Sequence, residues 1–370
     1  MKIGINTSFI NLKSGIGTYV NNLVQNLQLI QNSSDEYHFY LSKESYDPEY
    51  FDEGKNRVYR YNIPQFNSLR KVLWEQVFLP GKVKKSKLDV FHSPAFISPL
   101  GLDIPSIVTI HDLAFLKYPD TIIKYKRGFY NYMFNRAIEN SAKIITPSDF
   151  IKQELLESFE CPEDKISVVY EGVSELFTPE NDEEIISQCL TGLKIDKPFL
   201  MFTGIIEPRK NLENILMAFS KSGCDDMLFV IAGKEGWMCE SVFEIIQESG
   251  LNDRVIITGE ISPSVLRVLY SSCIALIFAT LYEGFGLPVL EAMACGAPVV
   301  TSNRSALPEV AGDAALFVDP ENVEEISDAM KRIIDDQGLR NELSQKGFDN
   351  IKRFSWKKCA EETSLIYHSL

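Results

Sequence analysis

The 370-residue chain holds only seven cysteines, at positions 161, 189, 224, 239, 273, 295 and 359, and no two of them form a C-x-x-C pair. An odd, scattered set cannot build a disulfide framework and offers no structural zinc site. A reducing cytoplasm fits that usage. Histidine is scarcer, with four in the whole chain. No run of about 18 apolar residues exists to span a bilayer, and the opening "MKIGINTSFI" lacks the long apolar region of a signal peptide. Any meeting with a membrane is therefore expected at its surface. Positive charge is also short, with 37 Lys and Arg against 51 Asp and Glu, a net −14. That balance disfavours nucleic acid as a partner, because phosphate binding needs a basic excess.

What the chain does have is length and regular alternation. At roughly 150 residues per domain, a chain of this size is expected to form two domains. With 45% hydrophobic and 24% charged residues it falls in the ordinary globular range. Residues 1–180 carry 20 Lys and Arg against 22 Asp and Glu, a balance of −2, which leaves −12 for residues 181–370. Halves so different suggest different tasks. Short β-branched strands alternate with amphipathic helices throughout, the pattern of α/β domains with parallel sheets. "KIGIN", "YHFYL", "LDVFHS", "PSIVTIHD", "KIITPS" and "ISVVYEG" read as strands of the first half. "PFLMFTG", "MLFVIAGK", "RVIITGE", "IALIFAT", "APVVTS" and "AALFVD" read as strands of the second. The expected organisation is a doubly wound domain over 1–175, an acidic, proline-containing connection over 176–198, a second doubly wound domain over 199–353, and a last amphipathic helix over 354–370.

Candidate chemistry concentrates in "EGFGLPVLEAMACGAPVV" (283–300), which follows the buried strand "IALIFAT". Pro288 suits the first turn of a helix and Gly296 its end. Gly284 and Gly286 let backbone N–H groups approach a ligand, and the helix N-terminus behind them favours an anion such as a diphosphate. Glu283 and Glu291 can point into one cleft and accept hydrogen bonds from hydroxyls. Two glutamates at this spacing alone are ordinarily solvated surface groups; the full string is far more specific. It resembles the signature of the retaining glycosyltransferases of family 4, GT-B enzymes that use nucleotide-sugar donors. The resemblance implies two Rossmann-like domains facing across a cleft, and it sets the donor against Glu283, Gly284, Phe285, Gly286, Leu287 and Glu291. In it Glu283 and the Gly-Phe-Gly backbone meet the sugar, and Glu291 holds the ribose hydroxyls.

Other stretches agree. "GIIEPRKNLENILMAFS" (204–220) places Arg209 and Lys210 before a helix for which Asn211 is a plausible N-cap. A lone Arg-Lys pair is commonly a solvated turn, but this string is similar to the family's phosphate-binding turn, a clamp for the leaving diphosphate. In "NLKSGIGTYVNNLVQNL" (11–27), Gly15 and Gly17 are spaced as in a loop that contacts phosphate or acceptor, and an ordinary turn explains them equally; the family has a similar loop here. The third glycine of a dinucleotide fingerprint is missing and the expected acidic partner is not evident, which argues against NAD binding. His111 and Asp112 end the strand "PSIVTIHD", at the edge where open α/β sheets bind ligands. His111 matches a family position beside the scissile bond; Asp112 is equally explained as orienting that histidine or capping a helix. Ser148 in "TPSDFIKQEL" reads as an N-cap, although the family often has a serine here near the acceptor.

The resemblance implies a hexosyltransfer with retention, catalysed through His111, Arg209, Lys210 and Glu283. The chain contains no D-x-D, so no metal site is expected, and the two cations are expected to neutralise the leaving group. No cofactor is expected beyond the donor substrate. "FHSPAFISPL", "TIHDLAFLKYP" and "VVYEGV" look similar to bacterial polysaccharide mannosyltransferases, which puts GDP-mannose first and a UDP-hexose second. The acceptor is expected to be a glycan or a lipid-linked saccharide. A GT-B sugar-nucleotide epimerase, a glucosyl- or galactosyltransferase using a UDP-hexose, a phosphorylase-like enzyme with pyridoxal phosphate, and a non-catalytic sugar-binding protein are the rival readings. "LRKVLWEQVFLPGKVKKSK" (69–87) and "LKYPDTIIKYKRGFYNYMFNR" (116–136) interleave cations with aromatics, which suits a peripheral contact with anionic lipid at the inner face of a membrane and equally a solvated basic face.

Overall fold

A computed structural model describes residues 1–10, 12, 14–32, 34–63, 69–119 and 124–370. It separates into two compact units, Met1–Gly172 with Ser355–Leu370, and Val173–Phe354. The expected connection over 176–198 counts with the second unit, where Glu183–Gly192 is a helix whose first N–H groups are accepted by the carboxylate of Asp182. The polar, acidic composition of that stretch belongs to an exposed helix, and the seams fall at Gly172/Val173 and Phe354/Ser355.

In the first unit seven strands form one parallel sheet: β1 (Lys2–Asn6), β2 (Glu36–Ser42), β3 (Arg57–Tyr61), β4 (Val90–Ser93), β5 (Ser106–Thr109), β6 (Lys143–Thr146) and β7 (Ile166–Val168). Their order is β3-β2-β1-β4-β5-β6-β7, so the direction of winding reverses between β1 and β4. Six of these follow the apolar runs legible in the sequence. The seventh, β3, is an edge strand with two arginines in its five residues, "RVYRY", and it lacks an apolar run. It is held by register and rings: Tyr59 pairs with Tyr40 of β2, and the two rings stack at 4.9 Å.

The helix Gly15–Leu29 begins on Ser14, whose Oγ accepts the N–H of Gly17. A Cβ on Gly17 would lie 1.8 Å from the Leu12 carbonyl oxygen, so the loop into this helix closes only over glycine, whereas Gly15 faces open space. The terminal helix Trp356–His368 completes this unit. Tyr367 Oη and His92 Nδ1 share a hydrogen bond of 2.7 Å, and His92 Nε2 meets Thr109 Oγ1 at 2.8 Å. Burial pushes the His92 ring down to about 3, so it stays neutral and serves as a structural pin.

The second unit repeats the plan with β8 (Phe199–Thr203), β9 (Leu228–Ala232), β10 (Val255–Ile257), β11 (Ala275–Phe278), β12 (Val299–Ser302) and β13 (Leu316–Val318), all six at the apolar runs of the sequence. The order β10-β9-β8-β11-β12-β13 is again parallel and reverses between β8 and β11. β8, β9, β11 and β12 are buried along their whole length because helices cover both faces. Each large apolar side chain so buried contributes about 1.5–3 kcal/mol. Among the described residues, no helix is long and apolar enough to cross a membrane.

Candidate functional site

Open parallel sheets bind ligands outside the carboxyl ends of the strands where the winding reverses. In the second unit that point lies between β8 and β11, and the two most specific motifs of the sequence leave from those two strands. The loop after β8 carries Glu207, Arg209 and Lys210; the loop after β11 carries Glu283 to Gly286. Backbone and side chain stitch the loops together. Leu281 N–H donates to the Arg209 carbonyl at 3.0 Å, and Asn211 Nδ2 donates to the Ala279 carbonyl at 2.9 Å. Asn211 is therefore not the side-chain cap expected of it. It sits in the left-handed region at φ 61° and gives its amide to the carbonyls of Ala279 and Pro320 instead.

Four charges meet there. Arg209 Nη1 donates to the Tyr282 carbonyl at 2.8 Å and to Glu283 Oε2 at 3.2 Å, while its Nη2 donates to Glu207 Oε1 at 2.7 Å. Lys210 Nζ donates to Glu283 Oε1 at 2.7 Å. Side-chain exposure is 20% for Arg209, 12% for Lys210, 11% for Glu283 and 5% for Glu207, so the cluster is largely out of water but open on one side. Burial alone would raise the Glu283 carboxyl; the Lys210 and Arg209 charges outweigh it and hold the group below the usual range. Burial likewise pulls the Lys210 amine down, against the attraction of Glu283. Removing one partner of such a group leaves an uncompensated charge, which costs about 3–5 kcal/mol when fully buried and less here, where one side is open.

Behind Glu283 the chain turns through Gly286, at φ 114°, where a Cβ would also lie 2.7 Å from Leu307 Cδ2. The helix Leu287–Ala294 starts at once, with Pro288 in its first turn, no side-chain cap and no acid there. Its N-terminal dipole is left for an anion. Leu287 is half-buried at the first helical position, and Phe285 is buried with its ring edge-on to Phe354 at 5.7 Å, so this phenylalanine offers a ligand its backbone. Glu291, one turn further on, does not join the charge cluster. Its Oε2 accepts from Tyr270 Oη at 3.1 Å, and burial raises its carboxyl to about 7. The two glutamates of the motif thus differ in ionisation because one faces cations and the other a phenol.

In the first unit, His111 follows β5. Its Nδ1 lies 3.1 Å from Glu171 Oε1 and its Nε2 lies 3.0 Å from the Pro94 carbonyl, with the Tyr19 ring edge-on at 4.7 Å. Both ring nitrogens face acceptors, so contact with a sugar would replace the Pro94 carbonyl. Asp112 does not orient this histidine; its Oδ1 accepts the Ala114 N–H at 3.0 Å and starts the short helix Ala114–Lys117. Ser148 is an N-cap, accepting the Ile151 N–H at 3.3 Å. Lys82, Lys84, Lys85 and Lys87 are exposed, and Leu73, Val77 and Phe78 are exposed near them in sequence. Of the second basic-aromatic stretch, residues 120–123 lie outside the described residues.

Three participants were not anticipated from the sequence. Glu207 stands two residues before Arg209 inside the same string, and its burial at 6% exposure is what distinguishes it from a solvated acid. Glu171 follows β7 and Tyr270 lies mid-helix; no local pattern sets either apart.

The model of glycosyl transferases group 1 matches residues 191–349, and that of glycosyltransferase family 4 matches residues 13–175. O-antigen chain mannosyltransferase B of Escherichia coli is 28% identical over 284 residues, covering 76% of this chain and 74% of that protein. Sucrose-phosphate synthase from Thermosynechococcus elongatus has a similar fold, with a TM-score of 0.80 at 20% identity over 100% of this chain and 98% of that one. The Anabaena protein HepE, solved in complex with UDP and glucose, has a TM-score of 0.79 at 16% identity over 100% of both chains.

Burial would lower the His111 ring, but the Glu171 hydrogen bond and charge, helped by the Pro94 carbonyl, raise it above its ordinary 6.5. A raised folded value stabilises the fold at low pH and loses that contribution as pH climbs through it. The unfolding free energy of the wild type minus that of Glu171→Gln, from denaturant titrations, should therefore be larger at about pH 6 than at about pH 9. Equal differences at both would mean that the ring is neutral in the folded state.

Proposed function

The chain belongs to the glycosyltransferases of the GT-B fold, family 4 in its first half and group 1 in its second, and on that premise we propose that it moves a hexose from a nucleoside diphosphate donor to a hydroxyl of a glycan or lipid-linked acceptor, with retention and without a metal ion. The observation that carries this reading is the cluster of Arg209, Lys210, Glu207 and Glu283 at the winding reversal of the second sheet, directly before an uncapped helix N-terminus. With no donor bound, the two carboxylates hold both cations oriented and balance their charge. A diphosphate takes the cations from Glu283, and that carboxylate then accepts hydrogen bonds from the sugar hydroxyls. As the glycosidic bond breaks, charge grows on the leaving phosphate; Arg209, Lys210 and the helix dipole are already placed to meet it. Retention follows from same-face attack, with the departing phosphate taking the proton of the acceptor hydroxyl, and needs no protein nucleophile.

The mannosyltransferase relatives favour GDP-mannose as the donor. The complex of HepE with UDP and glucose keeps a UDP-hexose as second choice. His111 and the loop of Gly15 and Gly17 are assigned to the donor and acceptor side on the family resemblance. Glu291 is assigned to the ribose.

The deciding experiment is turnover of GDP-, UDP- and dTDP-hexoses in excess EDTA. One donor should be consumed, and Arg209→Ala and Lys210→Ala should each lower kcat about 30- to 1,000-fold, the equivalent of roughly 2–4 kcal/mol of barrier, with a smaller change in donor affinity. Activity that needs magnesium or manganese would overturn the clamp; an epimerised sugar formed without acceptor would favour the epimerase.

Hydrogen bonds from ribose hydroxyls favour the charged form of Glu291, so donor binding should release a proton there. Calorimetric affinity for the intact sugar nucleotide should rise with pH up to about 7 and then level, and Glu291→Gln should flatten the curve. A wild-type profile that is flat across that window would remove Glu291 from the binding site.

A peripheral membrane contact through the exposed lysines of 82–87 is part of the same proposal, supported by the exposed Leu73, Val77 and Phe78 that precede them. The protein should sediment with anionic liposomes at low salt and lose this when Lys82, Lys84, Lys85 and Lys87 are changed to Glu. Unchanged sedimentation of that variant would place the contact elsewhere.

A further inference from the structure

Glu283 is gripped from both sides of β11. Its carboxylate is held from the β8 side by Lys210 and Arg209, and its backbone from the β12 side by the loop 303–306. Ser305 Oγ accepts the Glu283 N–H at 3.1 Å, and the Ala306 N–H donates to the Glu283 carbonyl at 3.3 Å. Leu307, fully buried, packs against the Gly286 turn. The loop is itself anchored. The Asn303 N–H donates to the Val318 carbonyl at 2.9 Å and the Arg304 N–H to Ser302 Oγ at 3.1 Å, while the Arg304 guanidinium pairs with Asp319 at 2.8 Å and Glu321 at 2.6 Å. Held this way, Ser305 lies in the left-handed region at φ 57°. Glycine adopts that conformation freely; a residue with a Cβ does so at a cost in free energy. Five non-glycine residues among those described have positive φ, and two of them border the charge cluster: Asn211, next to Lys210, and Ser305. Backbone outliers of this kind concentrate where function holds them. What the Ser305 side chain supplies in return for its strain is one hydroxyl, spent on the Glu283 peptide.

We propose that Ser305 is a positioning residue for the donor sugar: through the Glu283 backbone it keeps the Glu283 carboxylate in place once a diphosphate has drawn Lys210 and Arg209 away. The inference rests on the glycosyltransferase reading and adds to it the residue that aims its sugar-binding carboxylate. In the unliganded chain the two cations orient Glu283, and the Ser305 bond duplicates what they do. With the cations turned to a diphosphate, the grip of Ser305 and Ala306 on the backbone is what fixes where the carboxylate meets the sugar hydroxyls. A small displacement there weakens contacts that depend on geometry, and the reacting centre lies on that same sugar. A nucleoside diphosphate without a sugar makes no such demand. Ser305 should therefore matter to the sugar-bearing donor and to turnover, and little to the nucleotide alone.

The test compares the full-length wild type with Ser305→Ala, which keeps the Cβ and removes the hydroxyl, and Ser305→Gly, which removes both. Calorimetry follows GDP-mannose, UDP-glucose and dTDP-glucose, and GDP and UDP alone; kinetics follow whichever donor is consumed. Each substitution should lower kcat/KM for that donor about tenfold, as for one lost hydrogen bond, and leave GDP and UDP affinities within about twofold of wild type. Ser305→Gly should do this while unfolding at an equal or higher denaturant concentration than the wild type, because glycine is unstrained at φ 57°. Activity and stability then move apart, which a merely structural role does not allow. In a Glu283→Gln background either substitution should weaken the sugar nucleotide by less than about twofold more, since Ser305 acts through Glu283. Should Ser305→Ala unfold, Ser305→Gly carries the test. Unchanged kcat/KM in the Ser305 variants, an equal loss for GDP and UDP without the sugar, or losses that add in full to those of Glu283→Gln would overturn the proposal. A wild type that consumes none of the three sugar nucleotides would instead remove the donor reading, and this proposal with it.

Discussion

The charge cluster of the second unit depends on one carboxylate. Glu283 leaves the end of β11 and is gripped by two cations that leave the end of β8, Lys210 at 2.7 Å and Arg209 at 3.2 Å. The contact can form because β8 and β11 are hydrogen-bonded neighbours, and it can receive a ligand because the connections of those two strands run to opposite sides of the sheet there. An isolated cation pair at that depth would repel itself and suffer desolvation. Glu207 and Glu283 remove both penalties without filling the open side.

On the proposed function, this arrangement lets a site for a doubly charged leaving group exist in a unit whose half of the chain is strongly acidic. The cations need no surrounding basic field, because the two carboxylates hold them in place; in the proposed function a diphosphate displaces those carboxylates. Glu291 uses the same buried setting to the opposite effect. Among the described residues its side-chain partner is the Tyr270 phenol, and burial raises its carboxyl to about 7. One eight-residue spacing thus carries one carboxyl held below the usual range and one raised above it.

The first unit applies the same physics at its own winding reversal and beside it. The Glu171 hydrogen bond and charge raise the His111 ring above its ordinary value against the pull of burial, and both of its nitrogens face acceptors. Glu75 and Lys71 are buried as a loose pair on a widened helix. His92, by contrast, finds hydroxyl partners in Thr109 and Tyr367 and stays neutral. Two imidazoles of the same unit are thus shifted in opposite directions, decided by whether a carboxylate is among their neighbours.

Much of this was legible in one dimension. Twelve of the strands announce themselves as apolar β-branched runs, since a strand covered on both faces must be apolar along its length. β3 escaped because an edge strand keeps its charges and is specified by its partner, Tyr40 against Tyr59. Arg209, Lys210, Glu283 and Glu291 were legible because close backbone turns, helix starts and charge leave local marks: glycine, proline and adjacent cations. Glu207, Glu171, Tyr270 and Glu75 leave none. An acid in a sequence is a solvated acid until the fold buries it, and burial is a property of what arrives from elsewhere in the chain. The roles of Asn211 and Asp112 were decided the same way, Asn211 by the carbonyls of Ala279 and Pro320 and Asp112 by the turn it enters. The sequence by itself determined the two parallel sheets and the residue types of the donor loops. Only the tertiary structure decided which charges meet, and so which carboxyl is lowered and which is raised, because Coulomb energy depends on separation in space and on the exclusion of water.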